Sequence, residues 1–296
     1  AGAHRWAAAG WSGLRPRYEH ATFLPAAAAR PRLWVFGGAH PDGNRSCVQV
    51  LDPEIGTWES PEVSGVQPQP RTFHTSAAAI GDCLYVFGGG DKGAEPVKDQ
   101  QLHVFDTATL SWSQPDTQGD PPSPRHGHVM VAVGTRLFIH GGLAGEVFHD
   151  DLFCIDTSEG AMRWVKVPAT GDVPAGRASH ASAVFKEHVY ILGGMGPGGA
   201  LDTTYKLHTE THQWTHLQFD APLPAARLDH AMCVIPWRPG RSRDSAGRES
   251  TAPGGDGAAP LQEGGAEDTV LHLLLVFGGM DTEGDIHRDC LVSLIE

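Results

Sequence analysis

The chain is short of positive charge. Its 22 lysines and arginines face 35 aspartates and glutamates, giving a formal net charge of −13. Duplex DNA or RNA is recognised through a basic face that neutralises phosphates, so this balance argues against a nucleic-acid partner. An anionic membrane surface repels it for the same reason. No apolar run approaches the roughly 20 residues needed to span a bilayer. The opening AGAHRWAAAGW has neither the charged leader nor the long apolar centre of a signal peptide. The five cysteines, Cys47, Cys83, Cys154, Cys233 and Cys290, stand singly with no CxxC pair. Odd in number and each falling in a predicted strand, they read as buried reduced thiols rather than disulfides.

Catalytic signatures are missing too. There is no GxSxG elbow, no GxxxxGK[ST] phosphate cradle, no HxxxH pair on a helix and no Cys/His cluster. FGGGDKG, from Phe87 to Gly93, is rich in glycine but ends a strand instead of opening a helix. His126 and His128, two apart in RHGH, are a weak metal pair that a repeat explains better. No cofactor is expected, and the chain reads as a non-enzyme.

Glycine (37) and proline (22) are plentiful and only 19% of residues are charged, which suits many turns around a sizeable core. An Arg-x-x-His phrase occurs five times: RYEH, RTFH, RHGH, RASH and RLDH, beginning at Arg17, Arg71, Arg125, Arg177 and Arg227. After each comes an apolar run ending in a glycine pair, in chain order Gly37–Gly38, Gly88–Gly89, Gly141–Gly142, Gly193–Gly194 and Gly278–Gly279. Trp58, Trp112, Trp164 and Trp214 follow the first four pairs by about twenty residues, each standing thirteen before the next repeat's arginine. A third apolar run lies between, closed by Asp52, Asp106 and Asp156, which can cap a turn, and by His208 in the fourth repeat.

Each unit therefore predicts four short strands: a after the Arg-x-x-His, b into the glycines, c, and d at the tryptophan. Strand b is apolar on nearly every residue, as a strand covered on both faces must be. Glycine permits the dihedrals and close approach needed where b ends, and the tryptophan fills space between sheets. Four-stranded units of about fifty residues repeated around a ring describe a β-propeller.

Trp6 precedes Arg17 by eleven residues, so residues 1–16 read as the trailing strand of a truncated first repeat. Residues 17–296 carry the five visible repeats, the last without a tryptophan. Either the Trp6 segment supplies strand d of the last blade and closes five blades, or it ends a sixth. The absent initiator methionine and the truncated first repeat favour a fragment of a six-bladed protein. Residues 236–269, rich in Gly, Ala, Pro, Ser and charge, read as a disordered insertion between strands a and b of the last blade.

The Gly-Gly pairs with their trailing tryptophans resemble kelch repeats. RYEHATFLP, WVFGGAHPDGNRSCVQVLDPEIGTW and SPRHGHVMVAVGTRLFIHGGLAGEVFHDDL resemble, more closely, the kelch-motif effectors of a late-endosomal Rab GTPase. That resemblance implies binding to the GTP form of the Rab. It also implies return of mannose 6-phosphate receptors from endosomes to the trans-Golgi network, and a link to an endosomal phosphoinositide kinase. The localisation it implies is cytoplasmic, with peripheral attachment to endosomal membranes through partners. The alternative is a substrate-recognition adaptor of a ubiquitin ligase. The contact residues expected from the sequence are Phe148, Val147, Tyr18 and Phe73 as apolar anchors, on the face carrying the loops after the glycine pairs. Arg17, Arg71, Arg125, Arg177 and Arg227 would form a basic ring near the axis, inside an acidic rim that includes Asp99, Asp151 and Asp289, unless they pair with neighbouring blades, the reading that outweighs the ring.

Overall fold

The computed structural model describes residues 10–25, 32–72, 78–93, 95–158, 160–220, 223–238 and 270–295. Among them there is no helix; five antiparallel sheets form five blades in chain order. Blade 1 comprises Ala21–Phe23, Leu33–Phe36, Val48–Asp52 and Thr57–Glu59. Blade 2 comprises Ala78–Ile80, Cys83–Val86, His103–Asp106 and Ser111–Ser113. Blade 3 comprises Val129–Val133, Arg136–His140, Leu152–Asp156 and Val165–Lys166. Blade 4 comprises Ala181–Phe185, His188–Leu192, Thr204–His208 and Gln213–Leu217. Blade 5 has three strands, Ala231–Trp237, Leu271–Phe277 and Cys290–Leu294. Four of the cysteines lie in strands and Cys47 stands one residue before its own; all five are free, but none is buried as expected, Cys233 and Cys290 being exposed because they lie on the outer face of blade 5.

Alternation along each strand sends successive side chains to opposite faces, so blades 2, 3 and 4 each pack against two neighbours. Phe36, Val48, Leu84 and Trp112 join blades 1 and 2. Phe87, Ile139, Ile155 and Trp164 join blades 2 and 3, and Phe138, Leu152, Ile191 and Trp214 join blades 3 and 4. A smaller cluster around Ala183, Tyr190 and Leu274 joins blades 4 and 5. No core cluster and no sheet pairing joins blade 5 to blade 1 among the described residues.

After strand d of blades 1, 2 and 3 the chain crosses the outer edge of the next blade. Ser64–Gly65 runs parallel to the strand of Trp112, Thr170–Gly171 to that of Trp214, and Ser12 bridges Thr57 in the same sense. At the c–d turn, Asp52, Asp106 and Asp156 accept backbone N–H groups two residues on. His208 does the same, its Nδ1 accepting the Glu210 N–H at 3.2 Å. Strand a of blade 5 includes Pro236 and Trp237, paired with His272 and Leu271, two residues the sequence reading assigned to the insertion. Proline is tolerated there because a is an edge strand of its sheet. Residues 239–269, Trp6 and Phe73 lie outside the described residues.

Candidate interaction face

All ten paired glycines have positive φ, from 65° at Gly37 to 112° at Gly89, a region costly for residues bearing Cβ. The residue after each pair bridges the residue after each arginine: Tyr18 with Ala39, Thr72 with Gly90, His126 with Leu143, Ala178 with Met195 and Leu228 with Met280. The arginine segments and the post-glycine loops therefore share one end of the molecule. At that end Ala231 pairs with Phe277, whereas the insertion leaves from the opposite end, where Trp237 pairs with Leu271.

The arginines build the seams between blades. Arg71, Arg125, Arg177 and Arg227 are fully buried. Each Nη1 donates to the carbonyl of its own blade's first glycine, at 2.9 Å on Gly88, 3.1 Å on Gly141, 3.1 Å on Gly193 and 2.9 Å on Gly278. Each Nε donates to the carbonyl two residues before it. Asp99, Asp151 and Asp289 pair with Arg71, Arg125 and Arg227 at 2.7, 2.5 and 2.7 Å, while Thr203 Oγ1 accepts from Arg177. The arginine carbonyl in turn accepts the N–H of the preceding blade's second glycine: Gly38 to Arg71, Gly89 to Arg125, Gly142 to Arg177 and Gly194 to Arg227. Arg17, half-buried, follows the pattern with Gly37 O at 3.0 Å and Gln49 Oε1 at 2.6 Å.

This corrects the expectation of an accessible basic ring. Four of the five arginines are closed off from any partner, since a buried guanidinium persists only with its donors satisfied. The rim loses acidity by the same pairs. Burial opposes ionisation of Asp99, but hydrogen bonds from His103 and the charge and hydrogen bonds of Arg71 overcome it and hold the carboxyl at about 2. Burial likewise opposes Asp151, and its bonds and proximity to Arg125 lower it.

What remains exposed is a set of loop tips. Tyr18 is 57% exposed and Val147, on the short hairpin Leu143–Ala144 with Val147–Phe148, is 59% exposed. Phe148 is half-buried, with its carbonyl against Gly176 at the entry to blade 4, so its neighbour Val147 presents the more accessible surface. Ile286, 69% exposed, and Met280 add apolar surface from blade 5 that the sequence reading missed. Asp42, Asp91, Glu95, Glu146, Asp150, Glu283 and Asp285 surround them, with Lys92, Lys98 and Arg288 as exposed basic groups. This end therefore carries scattered exposed apolar tips among acidic loop residues. Among the described residues no three His, Cys, Asp or Glu side chains gather as metal ligands, and no helix is long and apolar enough to cross a membrane.

Fold and face together define a kelch-repeat β-propeller. Residues 3–194 match the KLHDC2/KLHL20/DRC7 Kelch-repeats domain, and residues 176–218 match the Kelch motif. Among curated proteins, the chain is 72% identical to the Rab9 effector protein with kelch motifs of Gallus gallus, over 100% of this chain and 82% of that protein. It is 55% identical to the Mus musculus protein of that name, over 100% of this chain and 80% of the relative. The Homo sapiens protein is 54% identical, over 100% and 81%. The solved structure of YjhT superposes with a TM-score of 0.66 at 16% identity, over 95% of this chain and 84% of that one, a likeness of fold alone. The chain belongs to the family of Rab9 effector proteins with kelch motifs.

Proposed function

We propose that the chain is a non-enzymatic effector that binds the GTP form of a late-endosomal Rab GTPase through the loop end of the propeller. One observation carries the reading: relatives 54–72% identical over the whole chain bear the name Rab9 effector. The geometry is compatible with it. A GTPase orders its switch segments only when the γ-phosphate is present. A preformed face therefore discriminates the two nucleotide states by the difference in what they present. Tyr18, Val147, Met280 and Ile286 would supply apolar anchors, and the surrounding carboxylates would steer a basic partner surface. Endosome-to-trans-Golgi transport of mannose 6-phosphate receptors follows as the cellular role, with peripheral recruitment to endosomal membranes through the GTPase.

The test is a binding measurement with Rab9 loaded with a GTP analogue or with GDP. Binding selective for the analogue supports the proposal. Equal binding to both forms, or no binding, overturns it, and enrichment of cullin components from lysate would turn attention to a ubiquitin-ligase adaptor.

A further inference from the structure

Arg125 grips a side-chain hydroxyl that the other buried arginines lack. Its Nε donates to the Ser123 carbonyl at 3.0 Å and its Nη2 to Ser123 Oγ at 3.0 Å. The guanidinium is buried, yet Ser123 is exposed. Two residues before the arginine, the other repeats carry Arg15, Gln69, Ala175 and Ala225. Arg177 and Arg227 are equally buried with alanine at that place, so the seam does not require this oxygen.

The charges around Ser123 suit an anion. Asp151 accepts from Arg125 Nη1 at 2.5 Å but from Nη2 only at 3.3 Å, so the nitrogen that reaches Ser123 is the looser arm of the fork. In blade 5 both arms are closed, Asp289 accepting from Arg227 at 2.7 and 2.9 Å. Lys166 Nζ stands 4.0 Å from Asp151 Oδ2 and is mostly exposed. Two cations therefore serve Asp151, and a negative group on Ser123 Oγ would meet Arg125 directly.

The backbone presents this hydroxyl to solvent. Ser123 lies in no strand, between Ser111–Ser113 of blade 2 and Val129–Val133 of blade 3. Pro122 and Pro124 push the residues before them towards extended conformations, Ser123 among them. Gln100 Nε2 anchors the segment by donating to the Pro122 carbonyl at 2.9 Å. An exposed, extended serine followed by proline is the form in which proline-directed kinases take substrates. Ser60–Pro61 is the other such pair in the sequence, but the Ser60 hydroxyl accepts from the Gln49 amide instead of a guanidinium.

We propose that Ser123 is a phosphorylation site for a proline-directed serine kinase and that Arg125 receives the phosphate. The kinase transfers the γ-phosphoryl group of ATP. The Oγ–P bond forms as the bond from phosphorus to the bridging oxygen breaks, ADP leaves, and the hydroxyl proton passes to the kinase's base. Phosphoserine brings about −1.5 to −2 of charge and three acceptor oxygens. It competes with Asp151 for Nη2, so the modification retunes the seam between blades 2 and 3 at the loop end of the propeller.

The test uses the folded chain, ATP and a proline-directed kinase chosen because it phosphorylates a peptide of residues 116–130. Mass spectrometry locates the phosphate, and phosphorus-31 NMR follows its titration. Ser123 is expected to be modified on the folded chain, and Ser123→Ala to lose that signal. The second pKa of the phosphate, about 6 when unpaired, is expected to fall by about one unit in the folded chain and to return in urea, as contact with a guanidinium requires. Phosphate on Ser60, where it forms, should titrate alike in both states. Modification of the peptide but not of Ser123 in the folded chain overturns the proposal, because the hydroxyl is then closed to a kinase. A Ser123 phosphate that titrates in the folded chain at or above its value in urea overturns it too, because Arg125 then takes no part.

Discussion

His140 Nδ1 lies 3.1 Å from His180 Nε2, a histidine pair closed between blades 3 and 4. At this distance one ring donates and the other accepts, which two neutral imidazoles can do. Burial first, and then the charge of Arg177, pushes His140 down to about 3. Burial and the neighbouring His140 push His180 well below its ordinary value. Burial and Arg227 take His230 down to about 4.

These three groups set an acid limit. Unfolded, each binds a proton near 6.5; folded, none does until the pH is far lower. Stability is therefore complete above about pH 6.5 and falls as the pH drops towards 4, by up to roughly 1.4 kcal/mol per pH unit for each histidine. Asp99, held below its ordinary value, adds its loss only near and below 3.8, while Asp229, raised by burial, takes up its proton more readily when folded and offsets part of the histidine loss. Chemical denaturation at stepped pH should show the slope. His140→Phe, which installs the residue that stands at 36, 87 and 277 in other blades, should flatten it.

Trp112 packs on Phe36 at 4.9 Å and on Phe105 at 5.0 Å. Trp112→Ala leaves a cavity between blades 1 and 2, and large aromatic truncations of this kind cost about 3–5 kcal/mol. Urea unfolding should register that loss. At temperatures where the variant stays folded, affinity for a loop-face partner should be unchanged, because the indole is buried and offers a partner no surface.

Arg125 fixes Gly141 O, Asp151 and the Ser123 carbonyl with one side chain. Removing one partner of a buried pair strands the other, so Arg125→Ala should cost about 3–5 kcal/mol. Arg125→Lys should recover only part of it, since an ammonium cannot reproduce the fork. The midpoint of thermal unfolding checks both, and any loss of Rab binding should track the unfolded fraction.

Val147→Asp should act in the opposite manner. The side chain is exposed, so the melting temperature should stay within about a degree or two, surface changes being worth roughly ±0.5 kcal/mol. Binding to GTP-analogue-loaded Rab9 should weaken by about tenfold or more, the effect of losing an interface anchor of over 1 kcal/mol. Phe148→Ala should weaken binding less and unfold the protein sooner, because that ring is half-buried.

The repeat was legible in the sequence because its marks are local and periodic. A glycine pair needed for positive φ and a tryptophan needed at each seam recur at nearly fixed intervals. The partners of the arginines could not be read from the sequence because what buries them is distant in the chain: Gly88 is 17 residues from Arg71, and Asp289 is 62 from Arg227. A charge count along the loops enrolled Asp99, Asp151 and Asp289 in the acidic rim, although their carboxylates turn inward onto guanidinium groups. The His140–His180 pair spans two blades and 40 residues, and no single repeat betrays it. Ile286 escaped notice because aliphatic side chains in loops carry no motif. The exposure of Val147 over Phe148 depends on which way a two-residue hairpin strand faces.

Each seam hands an amide of one blade to a carbonyl of the next, as Gly142 N–H to Arg177 O. Such a joint has polarity: the glycine side and the arginine side are different surfaces and fit only in one order. A twofold symmetric encounter between two copies would bring like against like and could not reproduce it. The blade count is consequently not written into any single seam, because the four seams among the described residues are served by the same glycine-to-arginine bond, and the wedge angle of the sheets decides how many segments complete a turn.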